Sequence, residues 1–152
     1  MNMEIQAALD VADETDSFLQ ITDVIYDKES EVGFDSLNEA EQTVFCMDNL
    51  LREMENGGFA QFFHHDSGQY WQQTLEALER IKSKHVHGIF QQVLDLFEGN
   101  VPEDIDERVD AFDQIESENP DRIAELDDRF YDEDENLVAI TLKFVSKEIK
   151  SF

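Results

Sequence analysis

The fold of this chain is decided by residues 55–66, Glu55-Asn56-Gly57-Gly58-Phe59-Ala60-Gln61-Phe62-Phe63-His64-His65-Asp66. The stretch follows a long amphipathic pattern, so Asn56-Gly57-Gly58 predicts a helix end, where a left-handed residue is common. Phe59, Phe62 and Phe63 follow at i, i+3 and i+4, which places three rings on one side of a short helix. Rings of this size are usually buried, so we expect longer helices to pack around this short one.

Helical spacing of apolar residues dominates the rest of the chain, and the sequence shows no strand-like alternation. Ser36 and Glu39 have the spacing of a capping box, which would open the clearest helix. Pro102 and Asn119-Pro120 are typical of helix starts. We therefore predict an all-α, compact, single-domain bundle of about seven to nine helices over residues 1–152. The predicted helices cover about 3–13, 17–29, 36–56, 69–82, 84–97 and 135–150, with a short helix after Gly58 and two between Pro102 and Phe130.

The pattern Asn-Gly-Gly-Phe-x-Gln-Phe-Phe in residues 56–63 resembles the signature of a bacterial helical domain family of largely unassigned function. The best-known acidic member of that family is a DNA-mimic protein. The likeness runs from about Asn38 to Phe97, and Asp66-Ser67-Gly68 also fits it, whereas His64-His65 departs from it. The resemblance implies a helical fold and, for an acidic member, a DNA-binding protein as the target.

The net charge of -26 is extreme for 152 residues. It argues against direct binding of nucleic acid or anionic lipid and favours basic partners or cations. Twelve Phe supply a core, so the chain is not a disordered acidic tail. Cys46 is the only cysteine, so an internal disulfide is excluded, and its apolar neighbours predict a small packed residue. We find no secretory signal and no apolar run of membrane-helix length, which predicts a cytoplasmic protein without a membrane contact.

The negative charge is concentrated in two blocks. Residues 1–41 carry 12 acids and one base, and residues 98–136 carry 17 acids and three bases. The centre, residues 42–97, is nearly balanced, with seven acids and four bases. A general need for solubility would spread the charge more evenly, so we interpret the blocks as candidate functional surfaces.

The helix predicted after Pro102 has carboxylates at most of its non-core positions. Like pairs at i, i+4, such as Asp106 with Asp110, each destabilise a helix by roughly 0.2–0.5 kcal/mol. Arg108 is the one local cation, and its spacing predicts a pair with Asp104. Carboxylates at this density can stand in for DNA phosphates and pair with the Arg and Lys of a partner. The candidate phosphate-mimicking residues are Glu103, Asp104, Asp106, Glu107, Asp110, Asp113, Glu116, Asp127, Asp128, Asp132, Glu133, Asp134, Asp13, Glu14 and Asp16, and the helix after Pro120 also carries Asp121 and Glu125.

These observations lead to the hypothesis of a DNA mimic. It would bind a DNA-binding protein, such as a transcription factor, through a carboxylate-rich surface and block its DNA site. The alternative is an immunity-type inhibitor of one basic toxin or nuclease, for which the same electrostatic argument holds. A homodimer would lengthen the acidic face and suit dimeric DNA readers. The sequence contains no nucleophile elbow, phosphate loop or convincing acid pair, so we predict neither an enzyme nor a cofactor.

Other interpretations of these residues remain open. An acidic face is most often only solvated surface, and salt adaptation also raises acidity, although twelve Phe count against it. Residues 132–136, Asp-Glu-Asp-Glu-Asn, lack the Gly and the spaced final Glu of an EF-hand, and their acids instead suit the N-terminus of the last helix. His64-His65 and His85-x-His87 lack the i, i+4 spacing of metal ligands, so we predict no metal site. Gln61 is interpreted as a buried hydrogen-bonding residue that fixes a turn.

Overall fold

The computed structural model describes residues 2–132 and 135–152, and these ranges contain helices and no strands. The predicted all-α bundle is confirmed, with eight α-helices in the described ranges. None of these helices combines the length and the apolar character that a membrane crossing requires. The helices are α1 (Met3–Leu9), α2 (Glu14–Val32), α3 (Glu39–His64), α4 (Trp71–Arg80), α5 (Lys84–Leu96), α6 (Ile105–Glu118), α7 (Pro120–Tyr131) and α8 (Leu137–Lys147), with short 3-10 turns at Phe34–Ser36, Asp66–Tyr70 and Ile149–Ser151.

The other helices are arranged around α3, which packs against α2, α4, α6, α7 and α8. Its start is fixed by a capping box. The Asn38 side chain accepts the amide of Glu41, and the Glu41 carboxylate accepts the amide of Asn38, both at 2.9 Å. The sequence prediction placed this box at Ser36 and Glu39 and was wrong, because Phe34–Ser36 forms a separate 3-10 turn before the helix.

A kink at Gly57 and Gly58 divides α3, at the predicted break. Gly58 has φ +72° and ψ -158°, a region that residues with a side chain almost never occupy. A Cβ at Gly58 would also lie 2.7 Å from the carboxylate of Asp127 in α7. The kink therefore serves two purposes, since it redirects the helix and lets α7 approach the main chain closely.

Aromatic packing fills the core after the kink. The three Phe rings of residues 59–63 are fully buried. Phe63 stacks on Phe112 of α6 with 5.7 Å between ring centroids, and Phe59 meets Phe130 of α7 edge to face at 6.2 Å. Aromatic pairs of this kind contribute about 0.5–1.5 kcal/mol beyond the area they bury. The Phe segment thus sets where α6 and α7 lie against α3.

Two predicted helix starts are wrong in detail. The helix after Pro102 begins at Ile105, because the Asp104 carboxylate is its N-cap and accepts the amide of Glu107 at 3.0 Å. The last helix begins at Leu137 and not near residue 135, because Asn136 is its N-cap and its side chain accepts the amide of Ala139. Pro120 does open α7 as predicted.

Glu135, which the sequence prediction assigned to the start of the last helix, contacts a different helix. Its carboxylate accepts the amide of His85 at 2.6 Å and the hydroxyl of Ser83 at 3.3 Å, so it caps α5. Carboxylates are favoured at such an end because the first amides of a helix have no partner within it. The segment before α8 is therefore attached to the start of α5.

Cys46 is buried in α3, as predicted. Burial raises the pKa of its thiol to about 12, so the thiol stays protonated and unreactive at neutral pH.

Replacing Gly58 by Ala tests the kink. The backbone conformation and the nearby carboxylate both oppose a side chain, so we expect Gly58→Ala to lower the free energy of unfolding by about 1–3 kcal/mol. Gly88→Ala in α5 is the matched control, because a Cβ there meets nothing within 4 Å. Ala is favoured over Gly inside a helix by up to about 1 kcal/mol, so the control gains stability. Urea unfolding followed by circular dichroism measures both, and equal midpoints would contradict the role of Gly58.

Candidate acidic interface

The exposed carboxylates of α6 form a row on the side of the helix that faces away from the core. Asp106, Asp110 and Asp113 are spaced by four and three residues, and all three are exposed. At a rise of about 1.5 Å per residue, the row spans roughly 10 Å of helix axis. Glu107 and Glu103 are exposed beside it. The outer side of α6 thus presents almost only negative charge.

A second and longer row runs along α7. Asp121, Glu125, Asp128 and Asp132 are spaced by four, three and four residues, and all four are exposed. Together they line one shallow cavity of about 390 Å³, which shows that they share a face. The row spans roughly 16 Å, or about one carboxylate per helical turn.

The two rows lie on neighbouring helices, because α6 and α7 pack against each other and both pack on α3. Packed helices are typically 8–10 Å apart between their axes. This spacing falls between the widths of the minor and major grooves of DNA, about 6 and 12 Å. Two rows with one carboxylate per turn give a charge every ~2.7 Å of axis, compared with ~1.7 Å for duplex DNA. Two such rows side by side would reach more than half the linear charge density of DNA.

Few cations neutralise these rows. Arg122 forms an ion pair with Glu125 at 3.1 Å, and the ring of His64 lies 2.7 Å from the Asp113 carboxylate. The second contact also joins the end of α3 to α6. In the part of the chain that the structure describes, the carboxylates without an ion pair include Asp106, Asp110, Asp121 and Asp128.

Arg108 fixes the position of α6 from inside the molecule. It is 1% exposed, and its guanidinium donates hydrogen bonds to the main-chain oxygens of Phe63 at 3.0 Å, His65 at 2.9 Å and Glu103 at 3.0 Å. The first two oxygens belong to the end of α3, where carbonyls lack helical partners and a cation is favoured. The predicted pair with Asp104 was wrong, because the Asp104 carboxylate caps α6 while Arg108 points inward.

Gly68 makes the burial of Arg108 possible. A Cβ at Gly68 would lie 2.6 Å from Arg108 Nε and 3.0 Å from the main-chain oxygen of Phe62. Any side chain at this position would therefore displace the guanidinium from the end of α3. This contact explains physically why a glycine follows Asp66-Ser67 in the chain, and nothing in the local sequence indicates it.

Asp127 and Glu116, both in the predicted surface, are half-buried. Asp127 Oδ1 accepts the amide of Phe59 at 3.0 Å, beside the kink in α3. Burial raises the pKa of the Asp127 carboxyl, the hydrogen bond from Phe59 opposes this, and the nearby Glu116 and Asp128 add to the increase. Asp127 thus supports the kink, and we leave it and Glu116 out of the proposed interface. In the same helix, Asp121 and Glu125 extend the row instead.

The acids predicted near the amino terminus lie on another part of the fold. Asp13, Glu14 and Asp16 are exposed at the start of α2, where the Asp13 carboxylate accepts the amide of Asp16 at 2.9 Å. α2 packs mainly against α1, α3 and α8, so we treat these acids as a separate patch. Glu133 and Asp134 lie outside the described residues.

Gln61 was predicted to be buried, but it is only half-buried. Its amide nitrogen lies 3.1 Å from the ring of His65, so it spans the last turn of α3. His64 is half-buried and His65 is exposed near this turn. Among the residues that the structure describes, no group of three or more His, Cys, Asp or Glu is placed to hold a metal ion.

The fold and this surface together define a class, an all-α protein that displays rows of carboxylates on two packed helices. The family described as DMP19-like protein matches residues 35–148, and the chain belongs to this family. Membership of this family suggests a protein of the DNA-mimic type. The match includes both carboxylate rows and leaves out α1 and α2. No curated protein and no solved structure matches the chain.

Removing the guanidinium tests the role of Arg108. In Arg108→Met, the carbonyls at the end of α3 lose their donors, so we expect the free energy of unfolding to fall by about 2–4 kcal/mol. Arg108→Lys should recover only part of this, because an ammonium group cannot reproduce the planar fork. Arg122→Met is the control and should cost no more than about 1 kcal/mol, since its ion pair is near the surface. Urea unfolding measures all three, and a loss in Arg108→Met no larger than the control would contradict the assignment.

The raised pKa of Asp127 predicts a specific pH dependence. Between the ordinary carboxyl pKa of about 3.9 and the raised folded value, the folded state binds more protons than the unfolded state. Asp127 therefore makes stability fall as pH rises through this window. Asp127→Asn removes that fall, while the amide oxygen still accepts the Phe59 hydrogen bond. Melting temperatures measured from about pH 4 to neutral pH check this, with the exposed Asp110→Asn as control. Parallel curves for wild type and Asp127→Asn would contradict it.

Proposed function

We propose that this protein is a DNA mimic that binds a DNA-binding protein, such as a transcription factor, and covers its DNA site. The observation that supports this most directly is the pair of exposed carboxylate rows on α6 and α7. DNA-binding surfaces position themselves mainly by Arg and Lys contacts to phosphates. Carboxylates accept the same charge-assisted hydrogen bonds, so a groove built for phosphates can bind the rows.

The way the rows are held also supports a binding role. Both rows are on helices, and buried contacts of Arg108 and Phe112 hold the inner side of α6 against α3. A surface already ordered before binding loses little conformational freedom when the complex forms. A flexible acidic tail would lose much more, so the helical support makes the charge usable for specific recognition.

The overall charge favours fast association with a basic partner. A net charge of -26 attracts a cationic groove over distances of up to about a Debye length, which grows as the salt concentration falls. Binding of this kind depends strongly on salt, because added ions screen the attraction. The proposed partner is therefore bound quickly at low ionic strength and released as salt rises.

Charge reversal on the two rows tests the proposal. In the variant Asp110→Lys, Glu125→Lys, Asp128→Lys, three exposed carboxylates become cations, so we expect partner binding to weaken by about a hundredfold or more. The control is Asp23→Lys, Asp27→Lys, Glu31→Lys, which reverses three exposed carboxylates of α2. The two variants have the same net charge and differ only in which face is changed, so the control should bind like wild type.

The partner for this test is captured from a lysate of the native host at low salt, eluted with a salt gradient and purified. The proposal requires that the partner binds a labelled DNA duplex and that the wild-type protein displaces the duplex in a salt-dependent way. A partner that does not bind DNA, or equal competition by the α6–α7 variant, would refute it. A captured nuclease or toxin that loses its activity in the complex would favour the immunity-type inhibitor instead.

A further inference from the structure

The molecule also has a surface of the opposite sign. A groove of about 1070 Å³ lies between the start of α3, the end of α4 and the last turns of α8. The residues that line the groove carry a net positive charge, although the chain as a whole is strongly acidic. The cations that line this groove are Arg80, Lys82, Lys143, Lys147 and Lys150.

The composition of the chain does not predict this concentration of cations. The whole sequence has only 11 Lys and Arg, and nearly half of them line this one groove. The sequence has 37 Asp and Glu, and those that the described part of the chain places in the lining are Glu39 and Glu148. An even distribution would give the groove an excess of acids, so the positive charge here is a local feature.

Most of these cations are available to a ligand. Arg80 donates a hydrogen bond to the hydroxyl of Thr43 at 2.7 Å and lies 4.0 Å from Glu39. Cations elsewhere are held by close partners, as Lys28 is by Glu41 at 2.7 Å. Of the five groove cations, Lys82, Lys143, Lys147 and Lys150 are exposed and form no ion pair within residues 2–132 and 135–152.

Helix electrostatics explain only part of this cluster. Lys147 is in the last turn of α8, where a cation interacts favourably with the helix dipole by about 0.3–1 kcal/mol. The dipole of α8 does not account for Lys82, which follows α4. Lys82 has a φ of +65°, a backbone conformation more typical of Gly or Asn. Two separate elements therefore contribute cations to one groove.

The groove also has apolar residues in its wall. Ile81 is buried, and Ile140 and Phe144 of α8 are half-buried where they line it. A ligand that combines carboxylates with apolar side chains would match both features, with its apolar groups on these residues and its acids on the surrounding cations.

We propose that this groove binds an acidic, amphipathic peptide segment of a partner protein. A nucleic acid fits less well, because the apolar wall makes no favourable contact with a polar sugar–phosphate backbone. The net charge of -26 also repels a long polyanion. A second copy of the chain would have to overcome repulsion between two strongly negative molecules. The inference rests on the groove alone and not on the function of the α6–α7 rows.

The test uses a short fluorescent peptide in which Glu and Asp alternate with Leu and Phe at helical spacing. A peptide with Gln and Asn in place of the acids is the control ligand. Fluorescence anisotropy at low salt should show saturable binding of the acidic peptide, and binding of the neutral peptide weaker by about tenfold or more. Lys143→Glu and Lys147→Glu should each weaken binding of the acidic peptide by about tenfold.

Lys84→Glu is the matched control variant, because Lys84 is an exposed cation outside the groove. It should bind the acidic peptide like wild type, as should the variant with reversed charges on α6 and α7. The proposal is overturned if the acidic peptide does not bind or if Lys143→Glu behaves like Lys84→Glu. It is also overturned if only an oligonucleotide binds with this lysine dependence. Sedimentation showing that Lys143→Glu abolishes self-association, without peptide binding, would assign the groove to a second copy.

Discussion

A single buried guanidinium connects the two parts of the molecule on which the acidic surface depends. Arg108 donates hydrogen bonds to carbonyls at the end of α3 and just before α6. Burying a charge is costly, and here the cost is offset by carbonyl dipoles that would otherwise lack partners. Gly68 leaves the space that this contact needs. Because α6 starts from a fixed point on the core, the direction in which its carboxylates point is fixed as well.

The helices that carry the acidic rows are stabilised by aromatic packing on their inner sides. Like charges one turn apart destabilise the helix that carries them, and the sequence of α6 repeats this arrangement. The opposite sides of α6 and α7 carry Phe112 and Phe130, which pack against the buried Phe residues of α3. Hydrophobic and aromatic burial acts at short range and is not weakened by surface repulsion, so the core can hold two mutually repelling rows together.

Charge in this protein is separated by sign and not only abundant. Carboxylates are displayed on α6 and α7, whereas exposed lysines collect in and just after α8, beside the end of α4. A protein that needed only solubility would mix the two signs over its surface. The separation gives the molecule two faces that suit ligands of opposite charge, which is difficult to explain by composition alone.

The sequence by itself determined the helices, the break before Phe59, the buried Phe side and the spacing of Asp106, Asp110 and Asp113, because each follows from the local geometry of a helix. It could not show that Arg108 turns inward to a carbonyl 45 residues away, or that Asp127 binds an amide 68 residues away. Both residues look like ordinary surface charges in the sequence. Only tertiary packing decides which charges of an acidic chain become part of the core and which form a surface, since that choice depends on contacts between distant helices.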